Sequence, residues 1–129
     1  MISHAPADYR CPFCRNLNEG KGDWPLEIVH LYDEVAVKLN IKWWRNNPGA
    51  VLVVPRAHYE NVYDLPIELG TPMQEAIRDA AVAMKQAFDC DGVSQRQHNE
   101  PAGHQDVWHY HVHVFPRFEG DHLYQSRDT

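Results

Sequence analysis

The chain has 129 residues, of which 43% are hydrophobic and 23% are charged, values typical of one globular domain. Its 18 acidic residues outnumber the 12 basic ones, and the net charge of −6 argues against a surface that binds a nucleic-acid polymer. No apolar run approaches the roughly 18 residues of a membrane helix. The first residues also lack the basic and apolar regions of a secretory signal, so we expect a cytoplasmic protein without a membrane span.

The N-terminal part carries a pair of cysteines. Residues 1–10 are predicted to form a flexible tail, and residues 11–129 a single domain. Cys11 and Cys14 form a C-x-x-C pair directly after the tail, whereas the third cysteine, Cys90, stands alone. In an intracellular protein such a pair indicates metal or redox chemistry more than a structural disulfide. Because no apolar strand precedes the pair, we favour a zinc site and keep a thioredoxin-like redox site as the alternative.

Three short strands are predicted in the first half of the chain. After a polar loop at residues 15–23, the strands cover residues 26–31, 35–41 and 50–55. The third strand is apolar almost throughout, so we expect it to be buried on both faces. Residues 42–49 contain two tryptophans, two asparagines and a proline, and they are predicted to form a loop.

One long helix is predicted after a short helical turn at residues 60–65. Thr71 is a candidate N-cap, Pro72 suits the first helical position, and Gln74 completes a capping box. An apolar stripe at helical spacing follows, with the members Met73, Ile77, Ala80, Ala81, Met84 and Phe88. The stripe predicts a helix packed on the core, and we expect Gly92 to end this unit.

The last third of the chain returns to strands. Residues 93–97 and 107–115 are predicted strands, residues 99–103 a loop, and residues 117–129 a loosely packed polar tail. Strands followed by one long helix and further strands indicate an α+β domain. We expect a mostly antiparallel five-stranded sheet with one long helix packed on it. Such a sheet has free edges, which a homodimer would cover.

Three histidines alternate with apolar residues in the last predicted strand. Since side chains on a strand alternate between faces, His109, His111 and His113 share one face, and residues 108, 110, 112 and 114 share the other. The first and last histidines would be about 13 Å apart. A histidine can bind a metal ion that lies roughly 5–6 Å from its Cβ, so one ion could not reach both. A single three-histidine metal site is therefore disfavoured. We expect a structural histidine at one end and a reactive one in the middle or at the far end.

These segments resemble the histidine triad (HIT) family of nucleotide hydrolases and transferases. Residues 109–115, H-Y-H-V-H-V-F, match the alternating signature in full, and the P-R that follows resembles the nucleotide-hydrolysing branch. Residues 48–58, P-G-A-V-L-V-V-P-R-A-H, are similar to a second family segment, with Arg56 in place of the usual lysine. Residues 99–107 resemble the segment that precedes the triad. The resemblance extends over roughly residues 11–118.

The resemblance implies a covalent reaction at a nucleotide α-phosphate. His111 would attack the phosphorus and form a nucleotidyl-histidine intermediate that water or another acceptor resolves. His113 would donate to a phosphate oxygen or assist the leaving group. The implied substrates are dinucleoside polyphosphates or nucleoside phosphoramidates. The implied substrate contacts are Asn40, Asn99, the Gly103 backbone and Gln105, although the two asparagines also suit turns.

The resemblance also implies structural zinc. In zinc-bearing relatives a C-x-x-C pair, the histidine after the second family segment and the first triad histidine form one site. The corresponding residues are Cys11, Cys14, His58 and His109, a closed Cys₂His₂ set. Two other functions remain as alternatives, namely a non-catalytic nucleotide-binding or sensing module on the same fold and a metal-dependent hydrolase that uses the histidine row.

Overall fold

The computed structural model describes residues 2–18, 27–40 and 42–125. Its five strands form one antiparallel sheet in the spatial order β1-β2-β3-β5-β4. The strands are β1 (Ile28–Leu31), β2 (Val35–Leu39), β3 (Val51–Pro55), β4 (Gly92–Gln97) and β5 (Val112–Arg117), and the helices are α1 (Pro12–Asn18) and α2 (Gly70–Phe88). A five-stranded antiparallel sheet with one long helix confirms the predicted α+β class. Among the described residues, no helix combines the length and apolar character needed to span a membrane.

The sheet is covered on both faces, which places β3 in the middle of the protein. Val51 and Val53 point toward α2 and pack with its buried residues, while Leu52 and Val54 pack on the other side with Phe13 of α1. All five residues of β3 are buried. This confirms the prediction that the strand is buried on both faces.

Helix α2 begins earlier than the capping pattern predicts. A 3-10 turn at Ile67–Leu69 leads directly into it, so Leu69 occupies the N-cap position without a side-chain cap, and the prediction of Thr71 as the N-cap was wrong. The predicted C-terminal end of the helix was also wrong. Asp89 adopts the left-handed conformation that terminates the helix, and Gly92 is instead the first residue of β4.

The apolar stripe of α2 reaches the core from the first turn of the helix to the turn before the last. Met73, Ile77 and Met84 are buried, and Ala80 packs against the same cluster. Phe88, in contrast, is 44% exposed at the last residue of the helix. Its ring lines a surface cavity with Pro48 and Gly49 instead of joining the buried cluster.

Strand β5 is displaced from the predicted range of residues 107–115. Pairing starts at Val112, which is opposite Val53 of β3 and Gln97 of β4, and it extends to Arg117. Pro116 therefore lies inside the strand, at a position where only β4 is paired with it. Before Val112 the chain bends at residues 107–109, so the triad spans a bend and the beginning of a strand.

Both ends of the described chain make defined contacts. Within residues 2–10, expected to form part of a flexible tail, the Ser3 hydroxyl donates to Glu60 Oε1 at 2.6 Å and the His4 backbone N–H donates to Oε2 at 2.8 Å. The prediction of a loosely packed C-terminal tail was wrong for its described part. Arg117 donates twice to Asp121, at 2.8 and 3.0 Å, and Leu123 is fully buried.

Helix α1 was not predicted. Residues 15–23 were expected to form a loop, but residues 15–18 lie in α1, and residues 19–23 lie outside the described residues. The helix starts directly after Cys11, and its first turn brings Cys14 back so that its backbone N–H lies 3.4 Å from the Cys11 Sγ. The short helix therefore directs both thiol groups to the same place.

Candidate active site and metal centre

Four potential metal ligands meet beside α1 and the end of β3. They are Cys11, Cys14, His58 and His109, and their donor atoms all lie within 4.8 Å of one another. The Cys11 Sγ is 3.3 Å from the Nδ1 of His109, and the Cys14 Sγ is 3.4 Å from the Nδ1 of His58. The two Nδ1 atoms are 3.1 Å apart. The structure thus brings together all four residues assigned to the zinc site.

His109 is held in the orientation that a metal ligand requires. Its Nε2 donates to the carbonyl oxygen of Pro55 at 2.7 Å, which leaves the Nδ1 lone pair directed at the cysteines. A hydrogen bond from the remote ring nitrogen is the usual means of fixing a ligating tautomer. Burial lowers the pKa of His109 to about 4, so the ring is neutral at pH 7 and its lone pair is available.

The spacing of these donors fits zinc. Tetrahedral zinc, with Zn–S bonds of about 2.3 Å and Zn–N bonds of about 2.0–2.1 Å, separates its ligand atoms by roughly 3.3–3.8 Å. Three of the four sulfur–nitrogen distances in the cluster are 3.3, 3.4 and 3.6 Å. A closed set of two thiols and two imidazoles is typical of a structural zinc site. These residues can therefore hold a zinc ion.

His111 lies next to the metal set and is buried. The Phe13 ring touches both His109 and His111 edge-on, with centroid distances of 5.4 Å to each. The Nδ1 of His111 donates to the backbone carbonyl of His109 at 2.7 Å. Its Nε2 is directed at Asp106, whose Oδ1 is 3.3 Å away. The ring is therefore fixed by its Nδ1 and presents its Nε2 as the nitrogen available for chemistry.

His113 follows one pleat further along β5. Its ring centroid is 5.0 Å from that of His111, and burial together with the neighbouring His111 lowers the pKa of His113 to about 4. The Asn40 amide nitrogen lies 3.5 Å from the Nδ1 of His113. A cavity of about 430 Å³ opens beside this ring, and its wall includes Asn40, Lys42, Arg96, His98, His104 and Asp106. His113 therefore lies at the edge of a cavity that can admit a small molecule, and the buried His111 ring lies directly behind it.

The other predicted substrate contacts are engaged within the protein. The buried Gln105 side chain donates to the carbonyl oxygens of Glu60 and Val107 and accepts from the Glu100 backbone N–H. The side-chain Oδ1 of Asn99 accepts from the Val62 backbone N–H at 2.7 Å. Gly103 lies in a 3-10 turn, and its backbone N–H donates to the Glu100 carbonyl oxygen. These residues shape the loop before the triad, whereas Asn40 lines the cavity directly.

Asp106 is a residue at the site that the sequence did not single out. It lies inside the segment that resembles the family, but a lone carboxylate before the triad has no periodic relation to His111. The bend at residues 107–109 returns the carboxylate to the His111 ring. The hydrogen bond with that imidazole lowers the pKa of Asp106 to about 2. A carboxylate therefore faces the nitrogen that is available for chemistry.

Comparison with known proteins agrees with this geometry. A family model described as "HIT domain" matches residues 27–120. The chain belongs to the HIT family. Protein hit of Bacillus subtilis (strain 168) is 33% identical to this HIT protein over 112 residues, covering 86% of this chain and 74% of the relative. Adenosine 5'-monophosphoramidase HNT1 of Saccharomyces cerevisiae is 26% identical over 118 residues, covering 91% of this chain and 68% of the relative.

Solved HIT structures share the fold. The crystal structure of a Zn-bound histidine triad family protein from Mycobacterium smegmatis superposes with a TM-score of 0.78 and 28% sequence identity. The superposition covers 92% of this chain and 82% of that chain. The arrangement of the sheet and α2 is therefore that of the HIT fold.

Proposed function

We propose that this HIT protein is a nucleotidyl hydrolase or transferase that cleaves at the α-phosphate of a nucleotide through a covalent nucleotidyl-His111 intermediate. The observation that carries the proposal is the 2.7 Å hydrogen bond from His111 Nδ1 to the His109 carbonyl. It fixes a proton on Nδ1 and directs the Nε2 lone pair away from the backbone. A ring fixed through one nitrogen, with the second nitrogen not bound to the backbone, is what a nucleophilic imidazole needs.

In the proposed reaction, the Nε2 of His111 forms a bond to the α-phosphorus as the bond from phosphorus to the leaving group breaks. The leaving group departs with the electron pair, and His113 donates a hydrogen bond to a phosphate oxygen or to the departing atom. Water or another acceptor then attacks the same phosphorus, releases the nucleotide and restores the imidazole. Asp106 lies 3.3 Å from Nε2 and shares a hydrogen bond with it, so Asp106 or solvent must take the Nε2 proton and the carboxylate must move aside before the attack.

The substrate class is proposed from the chemistry and from one relative. The S. cerevisiae relative is named adenosine 5'-monophosphoramidase. A nucleoside phosphoramidate or a dinucleoside polyphosphate presents an α-phosphorus with a leaving group, as the reaction requires. We propose that Asn40 contacts the nucleotide directly, since it lines the cavity, and that Asn99, Gly103 and Gln105 act on the site by shaping the loop before the triad.

We also propose that the Cys₂His₂ set holds structural zinc. Bound zinc would cross-link α1, the segment after β3 and the beginning of the triad, and so stabilise the fold. The chain's own part is to orient: the Pro55 carbonyl and the ring of Phe13 position His109, and the His109 carbonyl positions His111. The thiols and imidazoles therefore support the reactive ring without taking part in the reaction.

Mass spectrometry of the wild-type protein, quenched during incubation with adenosine 5'-phosphoramidate or a diadenosine polyphosphate, tests the reaction class. We expect an adenylyl adduct on the peptide that contains His111. His111→Gln should abolish the adduct and turnover, whereas His30→Ala, a histidine on β1, should leave both intact. Nucleotide binding without an adduct on any substrate would instead favour the non-catalytic nucleotide-binding module. Turnover that requires an exchangeable ion, again without an adduct, would favour a metal-dependent hydrolase.

We further propose that the protein forms a homodimer. In the described sheet, β1 and β4 each have a neighbour on one side, so both leave a row of backbone groups without a strand partner. Edge strands of this kind are sites of pairing with a second chain. Light scattering coupled to size-exclusion chromatography should give twice the monomer mass, and a monomer mass at all concentrations would refute the proposal.

A further inference from the structure

A second cluster of metal-ligating groups lies outside the Cys₂His₂ set. Asp106, His111 and His113 each direct one donor atom to a common place, and the three atoms lie within 4.8 Å of one another. The Asp106 Oδ1 is 3.3 Å from the His111 Nε2, and the two imidazole centroids are 5.0 Å apart. One carboxylate and two imidazoles are a ligand set that divalent transition metals prefer.

The hydrogen bonding of His111 explains why a cation suits this place. Its Nδ1 already donates to the His109 carbonyl, so Nε2 is the ring nitrogen left to bind an ion. That nitrogen faces a carboxylate oxygen 3.3 Å away. A hydrogen bond joins only these two groups, whereas a metal ion bound between them also uses the donor atom of His113.

The surroundings favour an exchangeable ion. The Asp106 side chain is 73% exposed and lines the cavity of about 430 Å³, so an ion can enter and keep water ligands. The His98 ring lies 5.9 Å from that of His113 and stands close to the set. Lys42 and Arg96 line the same cavity, and their positive charges oppose a cation. An ion here is therefore held less tightly than one in a closed set with two thiolates.

We propose that Asp106, His111 and His113 form a second, exchangeable site for a divalent transition-metal ion, and that an ion bound there blocks the nucleophile. Coordination places the Nε2 lone pair of His111 in the bond to the metal, so that it cannot attack phosphorus. No bond in the substrate changes and no group is oxidised. The metal binding itself is independent of the proposed function, and the blocking of the nucleophile rests on it.

The test uses the full chain with its Cys₂His₂ set already loaded and ZnCl₂ as the titrant. Isothermal titration calorimetry should detect one further equivalent per chain, and nitrogen NMR should show that the Nε2 signal of His111 and a ring signal of His113 shift. Asp106→Asn should weaken this second equivalent by at least about tenfold, since an amide oxygen is a poor substitute for a carboxylate. Asp8→Asn, an exposed carboxylate elsewhere, is the matched control and should bind like the wild type.

Each outcome decides the proposal. Absence of a further equivalent in the wild type, or unchanged affinity in Asp106→Asn with intact folding by circular dichroism, would overturn the site. His113→Gln provides a second variant that should weaken binding in the same way. Zinc that fills the site should reduce the adenylyl adduct on His111, and a chelator too weak to remove the Cys₂His₂ ion should restore it. A filled site with an undiminished adduct would overturn the blocking. If the wild type forms no adduct at all, the proposed function fails while calorimetry and NMR still decide the metal site.

Discussion

The His109 Nε2 donates to the carbonyl oxygen of Pro55 at 2.7 Å. This bond connects the last residue of β3 with the first histidine of the triad, which is separated from it by 54 positions in the chain. The Nδ1 of the same ring then faces Cys11, and the carbonyl of the same residue positions His111. One residue therefore connects the sheet, the proposed Cys₂His₂ metal site and the proposed nucleophile His111.

Loss of one thiol should remove the zinc and destabilise the fold. Cys14→Ser is expected to reduce bound zinc to less than a tenth of an equivalent per chain and to lower the free energy of unfolding by about 3 kcal/mol or more. Elemental analysis and urea unfolding measure the two effects. Cys90→Ala is the control, because Cys90 is buried beside Met84 in the core below α2 and is not a proposed ligand. We expect the Cys90→Ala protein to retain its zinc. Full zinc occupancy in Cys14→Ser would contradict the proposed ligand set.

Acid should weaken the anchor of the C-terminal segment. The hydrogen bonds from Arg117 hold the pKa of Asp121 well below its usual range. An unfolded aspartate titrates near pH 3.9, so this pair contributes its full stability above about pH 5 and loses it as the pH falls through about 4 and below. Asp121→Asn should therefore destabilise the protein at pH 7 and flatten its loss of stability between pH 5 and pH 3. Urea unfolding at each pH measures the free energy of unfolding, with Asp8→Asn as the control. If this free energy fell with pH equally steeply in Asp121→Asn and the wild type, the prediction would be wrong.

A buried asparagine should contribute more to stability than its exposed neighbour. The Asn47 side chain is fully buried and donates to the Pro116 carbonyl at 2.8 Å and to Asp121 Oδ2 at 2.7 Å. Asn47→Ala leaves both acceptors without this donor and should cost about 2–4 kcal/mol. Asn46 is exposed and donates to the Asp121 carbonyl, so Asn46→Ala should cost about 1 kcal/mol or less. Chemical denaturation measures the free energy of unfolding of both variants. Equal losses in Asn47→Ala and Asn46→Ala would contradict the expected effect of burial.

Substitution of the glycine before β3 should destabilise the protein, because this residue has a backbone conformation that other residues rarely adopt. Gly49 has φ +97°, and a Cβ there would lie 2.6 Å from the Phe88 ring. That ring is 44% exposed and can turn away, so backbone strain should dominate the cost of Gly49→Ala, about 1–3 kcal/mol. Thermal unfolding of Gly49→Ala with and without Phe88→Ala separates the two causes. We expect a similar loss in both backgrounds, and a loss that disappears with Phe88→Ala would assign it to the ring instead.

Local pattern was sufficient for much of the architecture. The helical spacing of Met73, Ile77 and Met84 predicted α2 and its buried face, and the apolar run of β3 predicted burial on both sides. Period-two alternation predicted that His111 and His113 share a face, and their rings are neighbours. These features depend on backbone geometry that repeats over a few residues, which a sequence displays directly.

Other features depend on residues that are distant in the chain. β5 begins at Val112 because pairing with β3 and β4 begins there, although the alternation starts earlier. The carboxylate of Asp106 reaches His111 through a bend that no periodicity marks. Likewise Cys11 and His109 meet across 98 positions. The spacing of neighbouring residues does not predict such contacts. They depend on how the sheet, α1 and the loops pack together, where strand pairing and burial outweigh local conformational preference.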